Sequence, residues 1–381
     1  MKSTRGQFVR HGTAAIAALA LGGKVLRDTG VARAADGSYG SLLTADANGI
    51  KLPAGFASRV IAATGRFVGG SAYSWPPAPD GAGAFPVSGG GWILAVNSED
   101  NGTQGGASAI RFDRFGAVVD AYRILGATKW NCAGGITPWG SWLSCEEFRQ
   151  GQVWECYPRE KGRPAVPRPS LGVFVHEAAP VDPQSGYVYL TEDSYDGRLY
   201  RFIPSHAGDL SAGRLQAAKL ASNGAVTWAI VSPTSPYRGK ETAIFARGEG
   251  AWISGGFLYF TTTGDDRVWS LDLARQVLTV IYDGVAQGGP LNSPDNITVH
   301  EATGDLFVGE DGADLQLVQL RRGPAGSWSA APFLQLEGHD GSEVTGPAFS
   351  PDSKRLYVTS QRGTDGKTGL TFEIKGPFSV A

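Results

Sequence analysis

The sequence predicts an all-β protein, a six-bladed β-propeller, and three observations carry that expectation. The first is composition: the 381 residues include 54 Gly and 22 Pro, and only 18% are charged. That mix suits short strands joined by tight turns. The second is a recurring unit, a turn glycine, a buried strand and then carboxylates. Gly140-Ser141-Trp142-Leu143-Ser144-Cys145-Glu146-Glu147 is one copy, Gly186-Tyr187-Val188-Tyr189-Leu190-Thr191-Glu192-Asp193 a second, and Gly304-Asp305-Leu306-Phe307-Val308-Gly309-Glu310-Asp311 a third. The third observation is the period. Related units start at 91, 256 and 355, so successive starts at 91, 140, 186, 256, 304 and 355 lie 49, 46, 70, 48 and 51 residues apart. A repeat near fifty residues with several strands per unit fits propeller blades.

The order within a unit agrees. Asn296 to His300 reads as an inner strand, a turn at Ala302-Thr303-Gly304 follows, and Leu306 to Gly309 returns. Leu315 to Leu320 then alternates as a third strand does, and so do Arg198 to Phe202 and Arg267 to Leu271 in their own units. The long third interval predicts an insertion around Pro204 to Lys240.

An inner strand and its hairpin partner start and end on one face. Aligned on the turn glycine, Asn131, Glu177 and Asp295 each lie 9 residues before it, and Cys132 follows Asn131. In the shorter fourth unit Glu249 opens the inner strand. Asn131 or Cys132, Glu177, Glu249 and Asp295 are therefore expected around one mouth of the channel. The pairs Glu146/Glu147, Glu192/Asp193 and Glu310/Asp311 are expected behind them. Like charges at that spacing repel by kilocalories or shift their pKa upward. Oxygen-seeking cations such as calcium resolve the conflict, and a cysteine thiolate among them points to a transition ion such as iron. Arg247, two residues before Glu249, is expected at the same mouth, either neutralising the acids or gripping an anionic substrate.

Other classes lack their signatures. The net charge of −2 indicates no nucleic-acid partner and no polybasic membrane patch. Zinc spacing, a Gly-x-Ser-x-Gly elbow and a P-loop lysine are missing from the sequence. Residues 1–35 read as an export signal, leaving 36–381 as one propeller domain. Arg5 and Arg10 flank a polar start, Thr13 to Leu21 is apolar but too short to span a bilayer, and Ala32-Arg33-Ala34 supplies a cleavage site. Thr4 to Arg10 resembles a twin-arginine signal with Gly6 in place of the second arginine. The expectation is a periplasmic or secreted protein, handled by export machinery and without stable membrane insertion. Of the three cysteines, Cys145 and Cys156 could pair, leaving Cys132 for other chemistry.

The string Trp130-Asn131-Cys132-Ala133-Gly134-Gly135-Ile136-Thr137-Pro138-Trp139-Gly140, with Cys145-Glu146-Glu147, resembles the PhoX-type alkaline phosphatases. His176-Glu177-Ala178, Thr191-Glu192-Asp193, Tyr200-Arg201-Phe202, Arg247-Gly248-Glu249 and Ser293-Pro294-Asp295-Asn296 look like later motifs of that family. The likeness runs from about Lys51 to near the C-terminus. It implies an exported six-bladed propeller with a cofactor of iron (Fe3+) and calcium (Ca2+) ions sharing a bridging oxygen. Cys132, Glu177, Glu249 and Asp295 would match the core metal ligands, Glu147 a calcium ligand and Arg247 a phosphate-contacting arginine. The chain is compact for that family, which bears on substrate range more than on metals. The leading expectation is a phosphomonoesterase acting on small-molecule phosphomonoesters. A calcium-dependent lactonase or ester hydrolase and a non-enzymatic, calcium-stabilised binding propeller are the alternatives, and neither needs iron.

Overall fold

Each sequence repeat becomes two neighbouring strands of one antiparallel sheet, and six such sheets form a β-propeller in the computed structural model. The model describes residues 37–234, 239, 241–312 and 314–378. The export-signal reading falls outside them. Blade 1 runs Pro79–Pro86, Trp92–Ser98, Gly106–Phe112 and Val118–Leu125 from channel to rim. Blade 2 runs Asn131–Ile136, Trp142–Glu146, Val153–Cys156 and Val166–Pro167. Blade 4 runs Gly248–Ser254, Phe257–Thr262, Arg267–Asp272 and Val277–Asp283, and blade 5 runs Pro294–His300, Asp305–Glu310, Gln316–Arg322 and Trp328–Leu336. Blade 6 takes Val344–Phe349, Arg355–Ser360 and Leu370–Lys375 from the C-terminal end and Ala57–Ala63 from the N-terminal end. Pairing the two ends in one sheet closes the ring of blades.

Blade 3 departs from the pattern. Its innermost segment is held by single bridges, His176 to Glu192 and Val181 to Val188, rather than by a continuous ladder. Outside it stand Val188–Leu190, Tyr200–His206 and Asp209–Leu220. The extra element falls inside the predicted window of Pro204 to Lys240. Pro204 to Leu220 belongs to ordinary strands, and the extra element is a fifth strand, Val226–Ile230, whose neighbour Ala225 bridges to Val277 of blade 4.

Apolar residues gather in six clusters, each filling a junction between adjacent blades. The strands' inward and outward faces are both apolar because each blade packs on two neighbours. One cluster contains Cys145, and another contains Cys156. All three cysteines are buried free thiols. The Cys145–Cys156 pairing fails for a reason of register. Cys145 pairs with Val153 and Cys156 with Trp142, three rungs apart along the ladder, or about 10 Å, beyond the reach of a disulfide.

One irregularity positions the site. The inner strands of blades 1, 2, 4, 5 and 6 carry a register shift near their start, between Pro79 and Ala82, Asn131 and Gly134, Gly248 and Ala251, Pro294 and Ile297, and Thr345 and Ala348. A bulge leaves residues unpaired and re-aims their side chains. The first unpaired residues of blades 1, 2, 4 and 5 are Asp80, Cys132, Glu249 and Asp295, and Glu177 follows His176 at the same level of blade 3. Neighbouring blades tie these bulges together: Asn97 Nδ2 donates to Cys132 O at 2.9 Å, and Thr261 Oγ1 donates to Asp295 O. The bulges approach so closely that a Cβ on Gly81 would lie 2.5 Å from Ala133 Cα.

Candidate metal centre

The bulge residues Asp80, Cys132, Glu249 and Asp295 converge with Glu177. Ligand-type atoms of Glu177, Glu249 and Asp295 lie within 4.8 Å of one another, as do those of Cys132, Glu147 and Glu177, and those of Asp80, Glu99 and Cys132. The three groups share Glu177 and Cys132, so they form one continuous band across the mouth. Every member is buried. Asn131, the alternative to Cys132 in the sequence, is committed elsewhere: it accepts from Thr128 Oγ1 at 2.8 Å and donates to Ser144 Oγ at 3.0 Å.

A second row completes the band. The amides of Glu99, Glu147, Asp193, Thr263, Asp311 and Gln361 each donate to the carbonyl of the residue that opens their own blade, respectively Ala78, Trp130, Val175, Arg247, Ser293 and Glu343. Six blades thus present six equivalent positions, four of them acidic. Ala78, Trp130, Arg247 and Ser293 all have left-handed backbones, with φ between 45° and 53°. That repeated turn swings the chain from one blade into the next bulge.

The electrostatics follow from burial. Burial raises the carboxyls of Glu177, Glu249 and Asp295 well above their ordinary range, and the neighbouring acids raise them further. Asp80 is pushed up to about 6 by burial, against a hydrogen bond from Gln361 that lowers it. The Cys132 thiol is held up by burial and then by Asp80 and Glu177, and it donates to Glu177 Oε1 at 3.1 Å. Asp80 Oδ1 and Glu177 Oε2 are buried with no hydrogen-bond partner. Orphaned buried oxygens are rare in folded proteins and call for a ligand or a function. Several oxygens and one sulfur converging on buried space suit hard cations alongside a transition ion.

Arg247 stands at this mouth. Its Nε and Nη2 grip Asp193 Oδ1 and Oδ2 at 2.8 and 3.3 Å, and Nη2 lies 3.0 Å from Glu249 Oε1. The first acid of each pair has a different setting. Glu146 Oε2 accepts Gln152 N at 3.2 Å. Glu192 Oε2 accepts Arg198 N and Tyr200 Oη at 3.1 and 3.0 Å. Glu310 takes Asn292 N at 2.8 Å and Gln316 N at 2.9 Å. These three accept backbone amides of neighbouring loops and strands and join none of the ligand groups. The pairs were read together in sequence, but strand alternation sends successive side chains to opposite faces.

Asp80, Glu343 and Arg362 also belong to the mouth and lie outside the repeat alignment, while Glu99 and Gln361 end the strand units that start at 91 and 355. Gln361 Nε2 donates to Asp80 Oδ2 and, at 2.9 Å, to Glu99 Oε2, while Arg362 Nη1 pairs with Glu343 Oε1. Alignment on the turn glycine misses Asp80 because the first turn is lengthened by a short 3-10 segment at Ser88–Gly90. The repeated dipeptide Pro79-Asp80 and Pro294-Asp295 is the signal that would have found it.

The mouth of this β-propeller thus offers a buried band of acids and one thiol that could hold metal ions. Residues 117–153, 148–263 and 260–363 match the family model of alkaline phosphatase PhoX, and the chain belongs to that family. Among solved structures it is similar to Pseudomonas fluorescens PhoX in complex with vanadate, a transition state analogue, with TM-score 0.71 and 17% identity over 88% of this chain and 97% of that one. It is also similar to the holo PQQ domain of Coprinopsis cinerea pyranose dehydrogenase, with TM-score 0.51 and 12% identity over 87% and 98% of the two chains. At these identities the likeness is one of fold. No curated protein matches by sequence. Family membership makes the chain an alkaline phosphatase-like phosphoesterase.

Proposed function

We propose that this protein is an exported phosphomonoesterase, periplasmic or secreted, whose iron and calcium ions are held at the propeller mouth. The observation that carries the reading is the continuous band Asp80, Glu99, Cys132, Glu147, Glu177, Glu249 and Asp295, in which one cysteine lies among buried carboxylates with orphaned oxygens. Cys132 would supply the sulfur ligand and the acids the oxygens. Bound ions would supply Lewis acidity toward the phosphoryl oxygens and activation of the attacking oxygen. A calcium-only lactonase has no use for a thiol at that place.

The chain's own residues do the rest. Asp193 fixes the Nε and Nη2 edge of Arg247, so that Nη1 is the nitrogen left to face a substrate. Arg247 would hold the phosphoryl oxygens as negative charge redistributes in the in-line displacement. The narrow channel below, lined by Gly81, Ala82, Ala133, Gly134, Ala178 and Ala251, leaves a cavity of about 20 Å³. Substrate therefore enters and product leaves from the mouth. The overall step breaks the phosphorus–oxygen ester bond, adds water, and releases an alcohol and orthophosphate.

The test is elemental analysis of natively exported protein paired with turnover of p-nitrophenyl phosphate, in the wild type and in Cys132→Ser. Iron and calcium in the wild type, with iron and turnover both lost in the variant, support the reading. Full iron occupancy in Cys132→Ser removes the sulfur ligand, and a metal-bearing wild type that leaves phosphomonoesters intact removes the activity.

A further inference from the structure

Blade 6 breaks the acidic pattern of the mouth. Where five blades present Asp80, Cys132, Glu177, Glu249 and Asp295, it carries Thr345 and Gly346. Gly346 has φ +57°, and a Cβ there would lie 2.3 Å from Asp80 O, so the position has no room for a ligating side chain. In the second row it offers Gln361, and the next residue is Arg362.

Arg362 is the less committed of the two mouth arginines. Only its Nη1 is taken, by Glu343 Oε1. Its Nε and Nη2, the edge that binds an oxyanion side-on, donate to no acceptor among the described residues, and its side chain is 30% exposed. In Arg247 the same edge is filled by Asp193. The segment bearing Arg362 is held in place: its amide donates to Ser342 Oγ at 2.9 Å, Ser342 Oγ meets Ser360 Oγ at 2.8 Å, and Ser360 Oγ meets His339 Nδ1 at 2.9 Å. Gly363 N donates to Ser360 Oγ at 3.1 Å. A fork held by its backbone, with its edge open, loses little entropy when it binds an anion.

Resting on the phosphoesterase reading, we infer that Arg362 is a second anion-binding arginine and that the preferred substrates carry a further phosphate on the leaving group. Blade 5 separates Arg247, which opens blade 4, from Arg362, which follows the second strand of blade 6, and both guanidiniums feel Asp311 of that intervening blade. A substrate that reaches both presents anionic groups at two ends. Arg247 takes the phosphoryl group that is transferred, and Arg362 takes the one that stays.

The test measures binding, so that it does not depend on turnover. Calorimetry on the metal-loaded full chain compares propane-1,3-bisphosphonate with propylphosphonate, neither of which can be hydrolysed. The wild type prefers the bisphosphonate by roughly tenfold, the scale of one charge-assisted fork. Arg362→Gln erases that preference while leaving propylphosphonate affinity and metal content near wild type. Arg362→Lys keeps the pairing with Glu343 but lacks the fork, and it loses part of the preference. No preference in the wild type, an equal loss for both ligands in Arg362→Gln, or an unchanged preference in Arg362→Lys overturns the inference. Failure of the wild type to hydrolyse p-nitrophenyl phosphate sinks the phosphatase reading alone and leaves these binding ratios to decide Arg362.

Discussion

Two sets of buried acids stand within a few residues of each other, and they are buried for opposite reasons. Glu146, Glu192 and Glu310 accept backbone amides of adjoining loops and strands and act as internal caps. Asp80, Glu177, Glu249 and Asp295 face one another instead, and oxygens of Asp80 and Glu177 have no donor. Like charges about 4 Å apart repel by about 4 kcal/mol at an effective dielectric constant of 20. Burial of an acid is thus no sign of a metal. The accounting of its oxygens is, and that accounting separates the ring from the row behind it.

The largest effect that sharpens this contrast is expected from Glu177→Gln. Glu177 belongs to two of the three ligand groups, so its loss should strip metal and lower turnover by roughly a thousandfold or more, beyond what loss of a single transition-state contact costs. The same change relieves repulsion in the metal-free protein, so the stripped variant should melt higher than the stripped wild type. A stripped variant that melts lower would make Glu177 a structural acid like those behind it.

Next in size is Arg247→Ala. If Arg247 grips the phosphoryl group mainly in the transition state, kcat should fall by roughly a hundredfold with metal content near wild type. Arg247→Lys should rescue only partly, because an ammonium lacks the planar fork. If Arg247 serves only to neutralise Asp193 and Glu249, metal content and activity should instead fall together, and measuring both on one preparation decides.

A smaller effect is expected from pH. In the metal-free protein Asp80 is raised from 3.8 to about 6, so the folded state holds its proton more tightly than the unfolded chain does. The stability from that proton is fully present below 3.8 and is lost as the pH rises through about 6. The Tm of chelator-stripped protein should therefore drop by several degrees across that window, whereas metal-loaded protein should not follow it. A stripped protein that gains stability over the window would contradict the repulsive ring.

The smallest effect on function belongs to the back row. Glu310→Gln keeps one acceptor oxygen for the amides of Asn292 and Gln316 and weakens the other bond, at a cost of about 1–3 kcal/mol of stability. Metal content and turnover should stay within a few-fold of wild type. Loss of metal in Glu310→Gln would return the first acid of each pair to the ligand set.

Much of this was legible in the sequence because a repeat converts spacing into geometry. The period predicts six blades, alignment on the turn glycine puts Glu177, Asp295 and Asn131 with its neighbour Cys132 at one mouth, and Glu249 joins them as the residue that opens the inner strand of the shorter fourth unit. What spacing could not show was side-chain direction. Glu146 and Glu147 are adjacent in sequence but lie on opposite sides of the strand, one capping an amide and one in the band. A lengthened turn hid Asp80 from the alignment. Gln361 ends the sixth unit but carries no charge, and Arg362 follows it, because blade 6 puts an amide and a guanidinium where the others put carboxylates. The Cys145–Cys156 pairing looked natural from sequence distance, and only the strand register shows that the two thiols never meet.

On the proposed reading the ring holds metal, whereas Glu146, Glu192 and Glu310 do not. The most direct measurement is elemental analysis, with melting temperature, on one natively exported preparation before and after exhaustive chelation. The account predicts iron and calcium in the untreated protein, a lower Tm at neutral pH once they are removed, and recovery when both ions return. A protein that comes out of the cell without metal, melts at the same temperature with or without chelator, and turns over phosphomonoesters in both states would contradict it.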